Sequence, residues 1–247
     1  MTEFTIALAG KRILIRSIYE MARKYCKNYL ADGEPDFTVT ITPADIAYEQ
    51  ERSAREDMLE GNPAYVYPEE YLETLAIYRQ IAEQMLRYDI LLFHGSAISV
   101  DGEGYLFTAK SGTGKSTHTR LWRQRFGHRC TTVNDDKPLL WVTAEGVMVC
   151  GTPWDGKHRL STNSVVPLKG LVILERGREN EIVPISASAA MPMLLQQSYR
   201  PANPMALSKL LGLLDRITKN TGLYRLRCNM DPEAAQVAYD GMQRKEN

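Results

Sequence analysis

The sequence predicts an α/β protein, and three observations point there. Short apolar or β-branched runs are interspersed with longer segments whose apolar residues recur at helical spacing. One of those runs leads into a glycine-rich loop that is followed at once by a helical pattern, the strand–loop–helix order of α/β domains. The chain has 247 residues, 44% hydrophobic and 24% charged, ordinary values for a globular chain and enough for one large or two small domains with a sizeable core.

Taken in order, residues 4–15 mix short alternation with apolar pairs and predict one or two strands. Residues 18–30 carry apolar side chains at helical spacing and predict a helix ending at the turn Ala31-Asp32-Gly33. The β-branched stretch 37–41 predicts a strand. Thr42-Pro43-Ala44-Asp45 then supplies an N-cap, a proline at the first helical position and an acid in the first turn, so a polar, glutamate-rich helix is expected to about residue 60. A second long helix is expected across 68–87, with Leu72, Leu75, Ile81 and Met85 on one side. From residue 90 the texture changes. Strands are predicted at 90–93 and 104–108, flanking the turn Val100-Asp101-Gly102-Glu103, and again at 131–133, 139–142, 147–149 and 171–174. Helices are predicted at 115–126, 187–197 and 205–217, with a last one beginning at Asp231-Pro232-Glu233. No repeat, low-complexity tract or Gly/Ser linker divides the chain. The expected division is an N-terminal α/β segment, 1–88, and a core, 89–247.

Charge and cysteine content exclude several classes. Thirty basic and thirty acidic side chains leave no cationic excess, which argues against a general nucleic-acid binder or a binder of acidic membranes. Arg120, Arg123, Arg125 and Arg129 lie close together and read as a solvated helix face. Cys26, Cys130, Cys150 and Cys228 are widely spaced and fit neither a disulfide framework nor a zinc pattern. No basic segment followed by a long apolar run opens the chain, and no stretch approaches the ~20 apolar residues needed to cross a bilayer. The expectation is a reduced, cytoplasmic protein with no nucleic-acid or membrane partner.

The chemistry concentrates in Ala109-Lys110-Ser111-Gly112-Thr113-Gly114-Lys115-Ser116. Glycines at 112 and 114 let the backbone wrap closely and aim its N–H groups at phosphate oxygens. The helix that follows offers unpaired N–H groups and the positive end of its dipole. Lys115 is placed to reach the β- and γ-phosphates and Ser116 to ligate Mg²⁺, with Ser111 to Thr117 as the nucleotide-binding set. The first glycine of the usual pattern is Ala109 here, which keeps a small residue.

About twenty residues on, Val133-Asn134-Asp135-Asp136 ends an apolar strand in two acids. Beside a phosphate-cradling loop such a pair supplies a metal ligand and a base, and alternation along a strand sends the two carboxylates in different directions. His94 follows the apolar run 90–93 and suits either a phosphate or proton-relay role or that of a hydrogen-bonded buried histidine. His118 reads as structural, since its helical spacing does not aim it at substrate.

His94-Gly95-x-Ala97, a short hairpin, Ser111-Gly112-Thr113-Gly114-Lys115-Ser116 and Asn134-Asp135-Asp136 occur in the order seen in the HPr kinase/phosphorylase catalytic domain, which this chain resembles over about residues 90–140. The loop is also similar to that of ATP-dependent phosphoenolpyruvate carboxykinase, which shares the fold. The resemblance implies a core of mixed β-sheet with the loop at one end. It implies His94 as the active-site histidine, Lys115 as the phosphate lysine and Ser116 as the magnesium-binding hydroxyl. It further implies that one of Asp135 and Asp136 accepts the substrate hydroxyl proton while the other helps hold metal.

The family's Leu-Glu-Ile-Arg-Gly-Leu-Gly-type segment is matched by Val166-Pro167-Leu168-Lys169-Gly170-Leu171-Val172, with Pro167 in place of the metal-binding glutamate and Lys169 in place of the arginine. That departure puts phosphorolysis, and HPr as substrate, in doubt. Gly151-Thr152-Pro153-Trp154-Asp155-Gly156-Lys157-His158 suits a plain hairpin turn or part of the substrate side. In the second case Lys157, His158 or Arg159 holds an anionic substrate and Asp155 contacts an amine or hydroxyl. Arg200, in a loop between helices, is a candidate late arginine for phosphate.

The function expected is ATP- and Mg²⁺-dependent phosphoryl transfer to a hydroxyl on a small molecule, a peptide or a protein serine, with residues 1–88 as a candidate acceptor-binding lobe. The competing readings are a catalytically weak nucleotide-binding regulatory or accessory protein and a carboxykinase-like enzyme.

Overall fold

The computed structural model describes residues 1–59 and 61–243, and the chain divides into two compact units, Met1–Gln84 and Met85–Asn247. In the first unit, β1 (Thr2–Leu8) and β2 (Lys11–Ser17) form an antiparallel hairpin. Its two-residue turn sets Ala9 at φ 46° and Gly10 at φ 71°, the left-handed pair that matches the twist of a tight hairpin. Phe4, Ile6, Leu8, Ile13 and Ile15 are buried, alternate residues along each strand, so one sheet face is core.

The helix expected over 18–30 is cut short. It becomes α1 (Met21–Tyr25) and a single 3₁₀ turn at Lys27–Tyr29. Ala22, Cys26 and Tyr29 do share a buried face. The chain leaves the helix because Leu30 bridges to Ile6 and the Ala31 N–H bonds the Thr5 carbonyl, so pairing with the edge of β1 takes over. β3 (Phe37–Thr40) then lies parallel to β2.

The expected cap before α2 (Pro43–Leu59) is present as a reciprocal pair. The Thr42 N–H donates to Asp45 Oδ2 at 3.0 Å and the Asp45 N–H to Thr42 Oγ1 at 3.4 Å. The end expected at Glu60 lies outside the described residues. α3 (Glu69–Met85) buries Leu72, Ile77, Ile81 and Met85, whereas Leu75 is only half-buried. Helical drift moves the buried stripe from Leu72 to Ala76 and Ile77 rather than through Leu75.

The second unit is a mixed sheet of nine strands with helices on both faces. Its strands are β4 (Ile90–Leu92), β5 (Ser96–Val100), β6 (Glu103–Thr108), β7 (Cys130–Asn134), β8 (Leu139–Val142), β9 (Val147–Cys150), β10 (Val165–Arg176), β11 (Glu181–Pro184) and β12 (Gly222–Cys228). The order is β4-β8-β9-β10-β6-β5-β7, with β12 beside β10 and β11 beside β12. The start of β10 runs antiparallel to β9. A register break between Leu168 and Gly170 then carries β10 on, parallel to both β6 and β12.

Successive residues of β6 and β10 point to opposite faces, and both faces are apolar because both are covered. Leu106, Leu171 and Ile173 meet α5 (Ala187–Gln197) and α6 (Pro204–Asn220) through Ala190, Leu194 and Leu210. Tyr105, Phe107, Val172 and Leu174 meet α4 (Lys115–Phe126) and α7 (Glu233–Gln243) through Leu121, Trp122 and Ala238.

Two expectations are corrected here. The strand that pairs with β6 across the turn at residues 101–102 is β5, whereas β4 pairs with β8; Gly95 breaks the run between them. β11 and β12 went unpredicted, because in Gly222–Cys228 arginines at 225 and 227 interrupt the apolar pattern. The arginine cluster is partly engaged: Arg125 bonds Gln236 and Arg129 pairs with Asp101.

Parallel pairing has one consequence for chemistry. β7 is antiparallel to β5, and β5 to β6, so β6, β7, β10 and β12 all point the same way. Their C-terminal ends share one sheet edge, where α/β proteins gather their functional loops.

Candidate functional site

The glycine-rich loop leaves β6 and enters α4 at this edge. Gly112 has φ 73° and Gly114 φ 121°, and a Cβ at either would meet nothing within 4 Å. The backbone conformation, not lack of room, is what requires glycine there. Ser111 and Ser116 are exposed, and Thr113 and Thr117 half-buried. The Lys115 ammonium is folded back over the loop, donating to the Ala109 carbonyl at 3.1 Å. Burial lowers its pKa, with the carboxylates of Asp136 and Asp135 pulling the other way.

One flank of the loop is charged. Asn134, at the end of β7, is fully buried and clamps two segments. Its amide nitrogen donates to Thr152 Oγ1 at 3.0 Å and to the Trp154 carbonyl at 3.2 Å, while its Oδ1 accepts the N–H groups of Asp136 and Lys137 at 2.9 and 2.7 Å. That turn places Asp135 and Asp136 in a bend just beyond the strand. The two carboxylates do diverge, through the bend rather than through strand alternation. Asp135 Oδ1 accepts from Thr119 Oγ1 at 3.4 Å, and Asp136 Oδ1 lies 3.3 Å from His94 Nε2. Burial alone would raise the Asp136 pKa, but the His94 hydrogen bond and the nearby Lys137 and Lys115 charges bring it below the usual carboxylate range.

His94 is half-buried and held from three sides. Its N–H donates to the Gln197 carbonyl at 2.7 Å, its carbonyl accepts from Thr108 Oγ1 at 3.0 Å, and the next N–H, of Gly95, donates to the Asp136 carbonyl at 3.0 Å. A Cβ on Gly95 would sit 2.9 Å from the Phe107 carbonyl, so only glycine permits this approach. His118 is by contrast fully enclosed. Its Nε2 accepts from Trp122 Nε1 at 2.9 Å, its ring packs edge-on against Phe107, and burial pushes its pKa down to about 4.

The residues expected on the substrate side divide. Asp155 is turned into its own loop, its side chain 2% exposed, accepting the Ser161 N–H at 3.0 Å and lying 3.6 Å from the Arg159 guanidinium. It organises the turn instead of facing outward. Lys157, His158 and Arg159 are exposed on that turn. The turn passes close to the charged flank, since a Cβ on Gly156 would lie 3.1 Å from Asp135 Oδ2. Arg200 is exposed and follows a segment tied to the start of the sheet, where Ser198 bridges Phe93 and the Tyr199 N–H bonds the Leu92 carbonyl. Pro167 and Lys169 lie at the opposite sheet edge. Pro167 pairs with Met148, Leu168 is level with Gly104, and Lys169 bonds Glu103 and Gln243. They are roughly 15 Å from the loop at ~3.3 Å per residue, so this segment supplies no ligand there.

The other flank of the loop is lined differently. At the ends of β10 and β12 a cavity of about 540 Å³ opens on the α4 side, walled by Thr117, His118, Leu121, Leu174, Gly177 and Met230. A second, of about 530 Å³, opens on the α5 side against Lys110, Thr113, Ile173, Glu175 and Met193. Arg176 borders both and donates to the Gly112 carbonyl at 2.7 Å. Sequence reasoning missed Arg176, because only the register of β10 beside β6 brings it to the loop.

These features define an α/β protein with a mixed sheet, in which a glycine-rich loop, a lysine, an imidazole and two carboxylates converge at one sheet edge. The model of the SynChlorMet cassette protein ScmC family matches residues 68–216, and the chain belongs to that family. No curated protein sequence matches it. Among solved structures, the chain is similar to the HPr(Ser) kinase/phosphatase from Coxiella burnetii at 12% identity, over 60% of this chain and 94% of that one, with a TM-score of 0.36. No helix among the described residues is long and apolar enough to cross a membrane.

Proposed function

We propose that this protein transfers the γ-phosphoryl group of ATP to a hydroxyl acceptor. The observation that carries this is the meeting of Lys115, His94, Asp135 and Asp136 around a loop whose glycines adopt left-handed conformations. The loop N–H groups and the start of α4 receive the phosphates, and Lys115 exchanges the Ala109 carbonyl for β- and γ-phosphate oxygens. The α4-side cavity, apolar at Leu121, Leu174 and Met230, takes the nucleoside. That leaves the γ-phosphate directed toward the opposite, charged flank.

The two carboxylates take different tasks. Asp136, held ionised by His94 and neighbouring lysines, is the better metal ligand and the poorer base. Asp135, hydrogen-bonded by Thr119, is assigned as the base. Among the described residues no three His, Cys, Asp or Glu side chains form a metal cluster. The available donors, the Ser116 hydroxyl and one ionised carboxylate, suit Mg²⁺, which characteristically completes its shell with substrate phosphates and water. When bound, the ion supplies charge neutralisation on those phosphates.

In the transfer, the acceptor oxygen forms a bond to the γ-phosphorus as the bond to the β,γ-bridging oxygen breaks. ADP departs and the hydroxyl proton passes to Asp135. Mass spectrometry after incubation with ATP, Mg²⁺ and a panel of serine-type acceptors tests this. One phosphate gained by an acceptor, and lost with Lys115→Ala, is expected; ATP binding with no product from any acceptor defeats it.

A further inference from the structure

We propose that the cavity on the α5 side of the loop is the acceptor groove, and that it takes a peptide segment whose hydroxyl residue is flanked by acids. The inference rests on the phosphotransfer reading above and names the acceptor's class and seat.

Placement comes first. This cavity shares Gly112, Thr113, Leu174, Glu175 and Arg176 with the α4-side cavity, but its remaining walls include Ile173 and Met193, on the other face of the sheet, and Lys110 of the loop. Met193 and Gln197 lie one turn apart on α5, about 6 Å at 1.5 Å per residue, and the Gln197 carbonyl holds the His94 N–H. One helix therefore runs from the groove to the His94–Asp136 pair. An extended peptide covers that distance in about two residues at ~3.5 Å each, with its hydroxyl at the Asp135–Asp136 bend beside His94 and a neighbouring side chain in the groove.

Charge selects the neighbour. The acid on its wall, Glu175, which the α4-side cavity also touches, lies 3.2 and 3.3 Å from the guanidinium groups of Arg225 and Arg227. Lys110 is exposed and forms no ion pair among the described residues, and Arg176 adds a second cation at the wall. Lys157 and His158 are exposed on the turn that passes Asp135, and Arg200 is exposed just after the segment paired with Leu92 and Phe93. The same bias holds for the whole unit. Residues 85–247 carry 21 basic and 15 acidic side chains, whereas residues 1–84 carry 9 and 15. An acidic acceptor is therefore attracted by the unit that holds the loop and repelled by the other.

The test uses the full chain with labelled ATP and Mg²⁺ on three probes: short peptides with a central serine and aspartates two residues to either side, the same peptides with lysines there, and free serine. We expect kcat/KM for the aspartate peptide to exceed that for the lysine peptide by about 10-fold or more, a preference that shrinks as salt rises. Met193→Glu, at a half-exposed position, should raise KM for the aspartate peptide about 10-fold and leave KM for ATP within about twofold. Equal use of both peptides, or free serine surpassing both, overturns the proposal. So does binding of a fluorescent ATP analogue without transfer to any peptide, which leaves the nucleotide assignment standing. If the wild-type chain binds no ATP, the phosphotransfer reading falls and the groove with it.

Discussion

His94 and His118 stand on two flanks of the same loop, and their surroundings treat them in opposite ways. His94 is half-buried, bonded through both backbone groups, and faces an ionised carboxylate. His118 is walled in by Trp122 and Phe107 and stays neutral far below ordinary histidine titration. The surroundings of His94 stabilise charge and those of His118 exclude it. Phosphoryl transfer needs both, because the reacting phosphate must be neutralised while the nucleoside is gripped by apolar contact.

The largest effect expected is on the cation the two flanks share. Lys115→Ala should lower the transfer rate by at least ~10³-fold and weaken ATP binding about 10-fold, read by steady-state kinetics and nucleotide titration. Undiminished turnover would mean that the loop is not the phosphate site. Next come the carboxylates. Asp135→Asn should cost about 10²–10⁴-fold in kcat with an unchanged Mg²⁺ requirement, as for loss of a base. Asp136→Asn should instead raise the Mg²⁺ concentration needed, and superimposable Mg²⁺ curves for the two variants would erase the division of roles.

His94→Gln is expected to cost about 10-fold and to act through pH. The His94 hydrogen bond helps hold the Asp136 pKa low, so in the wild type the ionised form persists as pH falls, until it is lost through that depressed pKa. Without the imidazole, the acid limb of the kcat/KM profile should move to higher pH. An acid limb left in place would show that Asp136 is held ionised by other groups.

His118→Gln should leave that limb untouched and change stability instead. A histidine whose folded pKa is depressed contributes stability that is present above its unfolded pKa of about 6.5 and is lost as pH falls toward about 4. About 3 kcal/mol of wild-type unfolding free energy should disappear across that window. Urea denaturation at several pH values should show a flatter dependence in the variant. Equal slopes would mean that the His118 ring is hydrated.

Much of this was legible locally. The Thr42–Asp45 cap, the glycine loop opening α4 and the apolar runs of β4, β7, β8 and β9 are specified by neighbours in sequence, where turn chemistry and periodicity act. What escaped depended on distant partners. α1 stops where Leu30 finds the edge of β1, β12 carries arginines yet pairs with both β10 and β11, and Asp155 turns inward to meet Ser161. The segment around Pro167 and Lys169 looked comparable to a catalytic motif but lies at the far end of β10.

By itself the sequence determined the α/β class and singled out Lys115, Asp135, Asp136 and His94 as candidates, because strand and helix periodicity and the glycine loop are short-range properties of the chain. Only the tertiary structure decided that Asp136 faces His94 while Asp135 faces Thr119, and that Arg176 reaches the loop. Those outcomes follow from strand register and from a buried asparagine clamping residues far apart in sequence, and neither is encoded by any one segment.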